Sequence, residues 1–222
     1  MRASYLSLFL AGCATATSPN ELTGDAHLAD AHSVTDGHPG TDGAVHPDGS
    51  PGVDAPTGSC ATPVTGMIAT WNLASATGSQ VSSPATAMAA GITAGVITRS
   101  AGLNAATGAG SINSTNWPSG ALDPTKYYTF TVTPPAGCVL DLTTLSIDTK
   151  VSTTGPASGA LATSADSFAA TTSVATNAPG TPAVSVSGAT GQIEVRVYGY
   201  LASMAAGTFR IQNALILNGS LH

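Results

Sequence analysis

QIEVRVYGYLASMAAGTFRIQNALILNG, residues 192–219, decides the fold. Apolar residues recur at alternate positions in two runs that flank a small, glycine-containing loop, the pattern of strands with one face against a core. In the first run Ile193, Val195 and Val197 point one way, and Glu194, Arg196, Tyr198 and Tyr200 the other. In the second, Phe209, Ile211, Leu215 and Leu217 share a face, with Asn213 among them. The spacing predicts that the two runs pair as an antiparallel hairpin. Asn213 on the apolar face then needs a neighbouring backbone partner, since an unpaired buried amide costs about 1–3 kcal/mol. A hairpin with one apolar face needs a second sheet to cover it, so the stretch implies an all-β, antiparallel β-sandwich.

Upstream segments supply the remaining strands. GMIATWNL (66–73) puts Met67, Ala69, Trp71 and Leu73 on one face. Residues 74–92 are rich in alanine, but Gly78, Pro84 and Gly91 argue for a loop rather than a helix. AGVITRSAG (94–102), KYYTFTVT (126–133) and CVLDLTTLSIDTK (138–150) read as strands, as do the weaker SGALATSA (158–165) and PAVSVS (182–187). In 138–150 the apolar positions change parity between Leu142 and Leu145, which predicts a bulge near Thr143 and Thr144. About eight strands with Gly/Pro turns describe a jelly-roll-like sandwich over 60–222. A domain of this size buries roughly 70% of its unfolded surface, enough for an independent core.

Charge divides the chain. Glu21, Asp25, Asp30, Asp36, Asp42, Asp48 and Asp54 lie before Cys60 with no Lys or Arg among them. From Cys60 onward five acids balance five bases. A neutral domain offers no footprint for a phosphate backbone, so nucleic acid is not an expected partner.

The N-terminus has one base, Arg2, and then a short apolar run from Tyr5 to Gly12. It is too short to span a bilayer and fits a secretory signal, residues 1–12. Leu10-Ala11-Gly12-Cys13 resembles a bacterial lipobox, which implies cleavage before Cys13 and acylation of that cysteine. Several acyl chains would anchor the protein stably. Ala14 in place of aspartate after the cysteine resembles the outer-membrane sorting pattern. With Cys13 acylated, Cys60 and Cys138 remain, and in an exported chain they are expected to form a disulfide.

Residues 13–59 form a linker with almost no aromatic or β-branched content, expected to be disordered. As a coil it would span roughly 35–40 Å. His27, His32, His38 and His46 each stand beside or near an aspartate, a composition competent for Zn²⁺, Cu²⁺ or Ni²⁺. Their spacing fits no fixed ligand set, so a solvated linker with drifting repeats explains them equally.

Catalysis is not expected. The domain's one histidine is the terminal His222, so a serine or cysteine nucleophile has no internal base. Glu194 is its one glutamate, which leaves no evident carboxylate pair for glycoside hydrolysis. Asp141, Asp148 and Asp166 suit turn capping or a structural Ca²⁺ site. Candidate ligand-binding residues are Tyr198, Tyr200, Arg196 and Glu194 on the outer face of the first run, with Tyr127 and Trp117, the latter in NSTNWPSG. An exposed aromatic is a flat apolar surface on which a pyranose can stack. Each of these rings can equally be half-buried under a loop, and Trp117 can plug an end of the sandwich.

The succession ATWNL, ITRSAGLN, STNW, YYTFTVTPPAGCVLDLTTLSID, TGP, ADSFAA, IEVRVYGY and GTFRIQNALILNG resembles the bacterial surface β-sandwich module of PEP-CTERM-type and related secreted proteins. The chain departs from that pattern at Gln212, where the family usually has Asp, and at Cys138, where an aromatic is common. The resemblance implies a jelly-roll fold and an extracellular setting. It carries no catalytic residues. The expected function is that of a membrane-anchored, non-catalytic module for polysaccharide binding or adhesion. The alternatives are a structural surface module making protein contacts, and metal capture by the His/Asp tail.

Overall fold

The structure, a computed structural model, describes residues 60–222. The expected signal segment, the lipid-attachment residue Cys13 and the linker with its histidines lie outside the described residues. Eight principal strands run Val64–Asn72 (β1), Ser111–Thr115 (β2), Tyr127–Thr133 (β3), Leu140–Val151 (β4), Pro156–Thr163 (β5), Ala183–Ala189 (β6), Ile193–Ala202 (β7) and Phe209–Leu221 (β8). They build two antiparallel-rich sheets packed as a sandwich, with two- and three-residue strands extending both edges. Among the described residues no helix is long and apolar enough to cross a membrane.

The first sheet is organised on β8. One edge of β8 pairs with β4 along its length, from Leu140 opposite Leu221 to Val151 opposite Phe209. Its other edge is shared end to end: Ala214–Leu221 pair with β1, and Phe209–Gln212 pair with β2. β6 continues the sheet beyond β4. In the second sheet β7 lies between β5 and β3, and Ile97–Arg99 pairs the far edge of β3.

The last two strands therefore do not form the expected hairpin. β7 and β8 belong to different sheets, and residues 203–208 carry the chain across the sandwich. A two-residue loop would force neighbouring strands to pair, whereas this connection is long enough to bridge the roughly 10 Å between packed sheets. The alternation is a guide to most faces and a poor guide to partners.

Bulges explain the other departures. The expected one is present at Thr143, where Leu142 opposes Gly219 and Thr144 already opposes Asn218. A second, at Ile68, lies between the Met67–Asn218 and Ala69–Leu217 pairs. It buries Ile68 and leaves Met67 40% exposed, although Met67 was expected on the inner face. The third is at Asn213, which has φ 62° and is exposed rather than on the apolar face. Asn213 sits where β8 passes from β2 to β1. Its N–H donates to the Gly110 carbonyl and its own carbonyl accepts from Leu73 N–H. The side-chain amide donates to Asp148 Oδ2 rather than to the expected backbone partner.

The core fills from both inner faces. Trp71, Ile211, Leu215, Leu217, Leu145 and Ile147 meet Phe130, Val132, Val195 and Val197. Trp71 and Phe130 rings lie 4.5 Å apart. At one end Phe209 packs on Trp117 and Tyr128, centroids 5.3 and 6.1 Å away. The Tyr128 hydroxyl donates to the Phe209 carbonyl, a bond that joins the two sheets. Gly199 makes room for that ring, since a Cβ there would come within 2.9 Å of Phe209. Cys60 and Cys138 are joined by a disulfide, as expected, 78 residues apart in sequence.

Two measurements probe this core. The double substitution Cys60→Ala/Cys138→Ala should cost about 4 kcal/mol by loop entropy, read as a fall in the urea midpoint with a larger m-value, since the unfolded chain is no longer cross-linked. Burial pushes the Tyr128 phenol well above the ordinary tyrosine range. The folded state then holds a proton that the unfolded chain releases near pH 10. Stability is fully present below about pH 10 and falls above it, by up to about 1.4 kcal/mol per pH unit. In alkaline denaturation series Tyr128→Phe should flatten that slope, and an unchanged slope would assign it elsewhere.

Candidate functional site

The outer face of the second sheet carries most of the candidate residues. Glu194, Arg196, Tyr198 and Tyr200 alternate along β7, and Tyr127 stands opposite Tyr198 on β3. Arg196 Nε donates to Glu194 Oε1 at 2.7 Å, an oxygen that also accepts from Thr129 Oγ1 at 2.9 Å. Burial alone would lower the Arg196 pKa, but its hydrogen bonds to Glu194 and Tyr198, with the Glu194 charge, raise it. Burial likewise raises the Tyr198 phenol.

This face is covered more than its sequence suggests. After β5 a single 3₁₀ turn, Ser164–Asp166, leads to Ser167 and Phe168, both left-handed with φ 59° and 63°. Two such residues in succession are costly, and the turn is held by local bonds. Phe168 N–H donates to the Thr163 carbonyl and Ala170 N–H to Asp166 Oδ2. Ser164 Oγ accepts from Glu194 N–H at 2.9 Å, which ties the turn to β7. The result places the Phe168 ring 3.7 Å from the Arg196 guanidinium, while Tyr127 lies 4.2 Å from it. Both aromatic faces are occupied by the cation.

Several site expectations change accordingly. Tyr198 is 2% exposed, packed with Ala160, Ala162, Tyr127 and Phe168 in a small second core. It presents no ring to a ligand. Trp117 is also 2% exposed and donates Nε1–H to the Ser114 carbonyl, so it is core rather than platform. Tyr127 keeps a partly exposed edge, and Tyr200 is half-buried beside the exposed Leu201 and, in the following loop, Met204. Phe168 was not among the expected site residues. Its signal, a lone aromatic in a small polar segment, was visible as ADSFAA but gave no orientation.

A hollow beside the turn, lined by Leu161, Thr163, Asp166, Ala170, Thr172 and Ser185, has a volume of about 90 Å³. Small-molecule pockets run to roughly 300–1,000 Å³, so a sugar ring does not fit inside it. Recognition on this face would be by surface contact. The three aspartates considered for Ca²⁺ serve separate junctions: Asp141 accepts from Gly188 N–H, Asp148 from Gln212 and Asn213, and Asp166 from Ala170 N–H. Among the described residues no group of three His, Cys, Asp or Glu is placed to hold a metal ion.

Comparison of the chain with protein-family models, curated proteins and solved structures finds no match. Its chemistry must be argued from its own residues.

Phe168→Ala should uncover the Arg196–Glu194 pair and cost about 1–2 kcal/mol, the scale of a lost cation–π contact with modest burial. Hydrogen exchange should rise in 164–171 and not in β8. Protection lost throughout the domain would mean that the turn is part of the main core.

Proposed function

We propose that this protein is an exported envelope lipoprotein whose sandwich serves as a non-catalytic adhesive or scaffold module. The observation that carries the proposal is the Cys60–Cys138 disulfide, a bond that persists in oxidising compartments and is rare in the cytosol. The lipobox-like Leu10-Ala11-Gly12-Cys13 supplies the matching anchor, and the resemblance to surface sandwich modules of PEP-CTERM-type proteins points to the same setting. Glu194 is taken up by Arg196 and Thr129, an internally satisfied polar face that suits a contact surface.

A polysaccharide is the second reading. The observation that favours it is the half-buried Tyr200, next after Tyr198 on the outer face of β7 and followed by the exposed Leu201, an aromatic with a partly exposed edge.

Labelling cells with an alkyne fatty acid tests the first proposal. The wild-type chain should take up label and fractionate with membranes, and Cys13→Ala should lose both. Label retained in Cys13→Ala would refute the anchor. Pull-down on insoluble neutral polysaccharides separates the second: Tyr200→Ala should weaken retention if the edge binds sugar, and an absence of wild-type retention would leave a protein-contact role.

A further inference from the structure

Three of the domain's five bases are occupied internally. Arg99 reaches between the sheets to Ser114 Oγ and to the carbonyls of Gly78, Gln80 and Asn113. Lys126 donates to the Asn116 carbonyl and Arg196 pairs with Glu194. Lys150 and Arg210 differ. They stand directly opposite each other on β4 and β8, and among the described residues neither side chain forms an ion pair. Like charges directly opposed across strands destabilise a sheet.

The acid on the same face of β4 is held by amides. Asp148, the next outward residue of β4, accepts hydrogen bonds from Gln212 and Asn213. The residue opposite Arg210 on β2 is the neutral Asn113. Arg210 Nε is buried with no hydrogen-bond partner. The guanidinium lies beside the 108 loop: a Cβ added to Gly108 would lie 3.2 Å from Arg210 Nη1.

Lys150, Arg210, Val151, Ser152 and Thr208 line a surface hollow of about 230 Å³. Ser152 Oγ accepts from Thr208 N–H at 2.9 Å, which leaves its hydroxyl hydrogen free to donate. The hollow thus offers two cations and a hydroxyl donor, with no carboxylate in its lining.

We infer that this hollow binds an oxyanion, a carboxylate or sulfate group of the kind carried by acidic polysaccharides. Arg210 supplies a planar guanidinium, Lys150 a mobile point charge and Ser152 a third donor. The bound anion relieves the repulsion that the paired cations impose on β4 and β8. The inference is independent of the lipid anchor and of the Tyr200 edge.

The test uses purified full-length protein, melted at constant ionic strength with sulfate or galacturonate replacing chloride. The midpoint should rise with oxyanion concentration. Lys150→Gln, at an exposed position, should melt higher than wild type in chloride, because it removes the like-charge pair. It should also lose the oxyanion-dependent rise, with affinity by calorimetry reduced about tenfold or more. A wild-type midpoint indifferent to the anion would overturn the inference, as would an equal rise in Lys150→Gln. Polygalacturonate, galacturonate and neutral dextran distinguish the source of the group. Tighter binding of the polymer than of its monomer supports a polysaccharide, and equal affinity overturns that source in favour of a free ion.

Discussion

The sandwich depends on Phe209. Its backbone begins β8, the strand that β4, β1 and β2 all use as a template, and its carbonyl receives the Tyr128 hydroxyl from the opposite sheet. Its ring is fully buried against Trp117 and Tyr128, in space that a glycine at 199 leaves open. One residue therefore sets sheet pairing, sheet separation and the closure of one end. A buried aromatic of this size contributes on the order of 3–5 kcal/mol, comparable with the net stability of a small domain. The polar bond matters for a different reason. It fixes which part of β3 faces which part of β8, something that apolar packing alone specifies loosely.

Local pattern revealed most faces and the bulge near Thr143 and Thr144, but not the bulges at Ile68 and Asn213 that turn Met67 and Asn213 outward, and it did not reveal partners. The inward residues of β3, β4, β7 and β8 follow from alternation, and the parity change in LDLTTLSID predicts a bulge near Thr143 and Thr144, which the structure has at Thr143. Side-chain alternation depends only on neighbouring backbone geometry, so it is written locally. Pairing is not. β7 and β8 look like a hairpin because they are adjacent and alternate, yet whether they pair depends on how residues 203–208 are routed and on what else competes for each edge. β2 was missed because SINST has a single large apolar residue, Ile112, and is buried by its position beside β8 and not by its composition.

The candidate face was legible as a set and not as a surface. Glu194, Arg196, Tyr198 and Tyr200 do share one side of β7. Whether they meet solvent was decided by a separate segment, the turn at 164–168, whose left-handed pair throws Phe168 back over the sheet. No periodicity encodes that. Trp117 misled for a similar reason: its polar neighbours belong to a loop that folds inward at the end of the sandwich, where an indole fills the gap and finds the Ser114 carbonyl.

The Cys60–Cys138 bond also determines how the domain would carry force. Tension entering from residues before Cys60 passes through the sulfur atoms to Cys138 and so straight into β4, whose start is held by Val139 exchanging backbone hydrogen bonds with His222. β1 and everything up to residue 138 form a covalent loop outside that load path, so the edge strand cannot be peeled away from its N-terminal end. From Cys138 the same strand runs on to Lys150. A pull between the N-terminal side and an anion held at Lys150 would run along one continuous strand, carried by its covalent backbone and not by the β4–β8 hydrogen bonds.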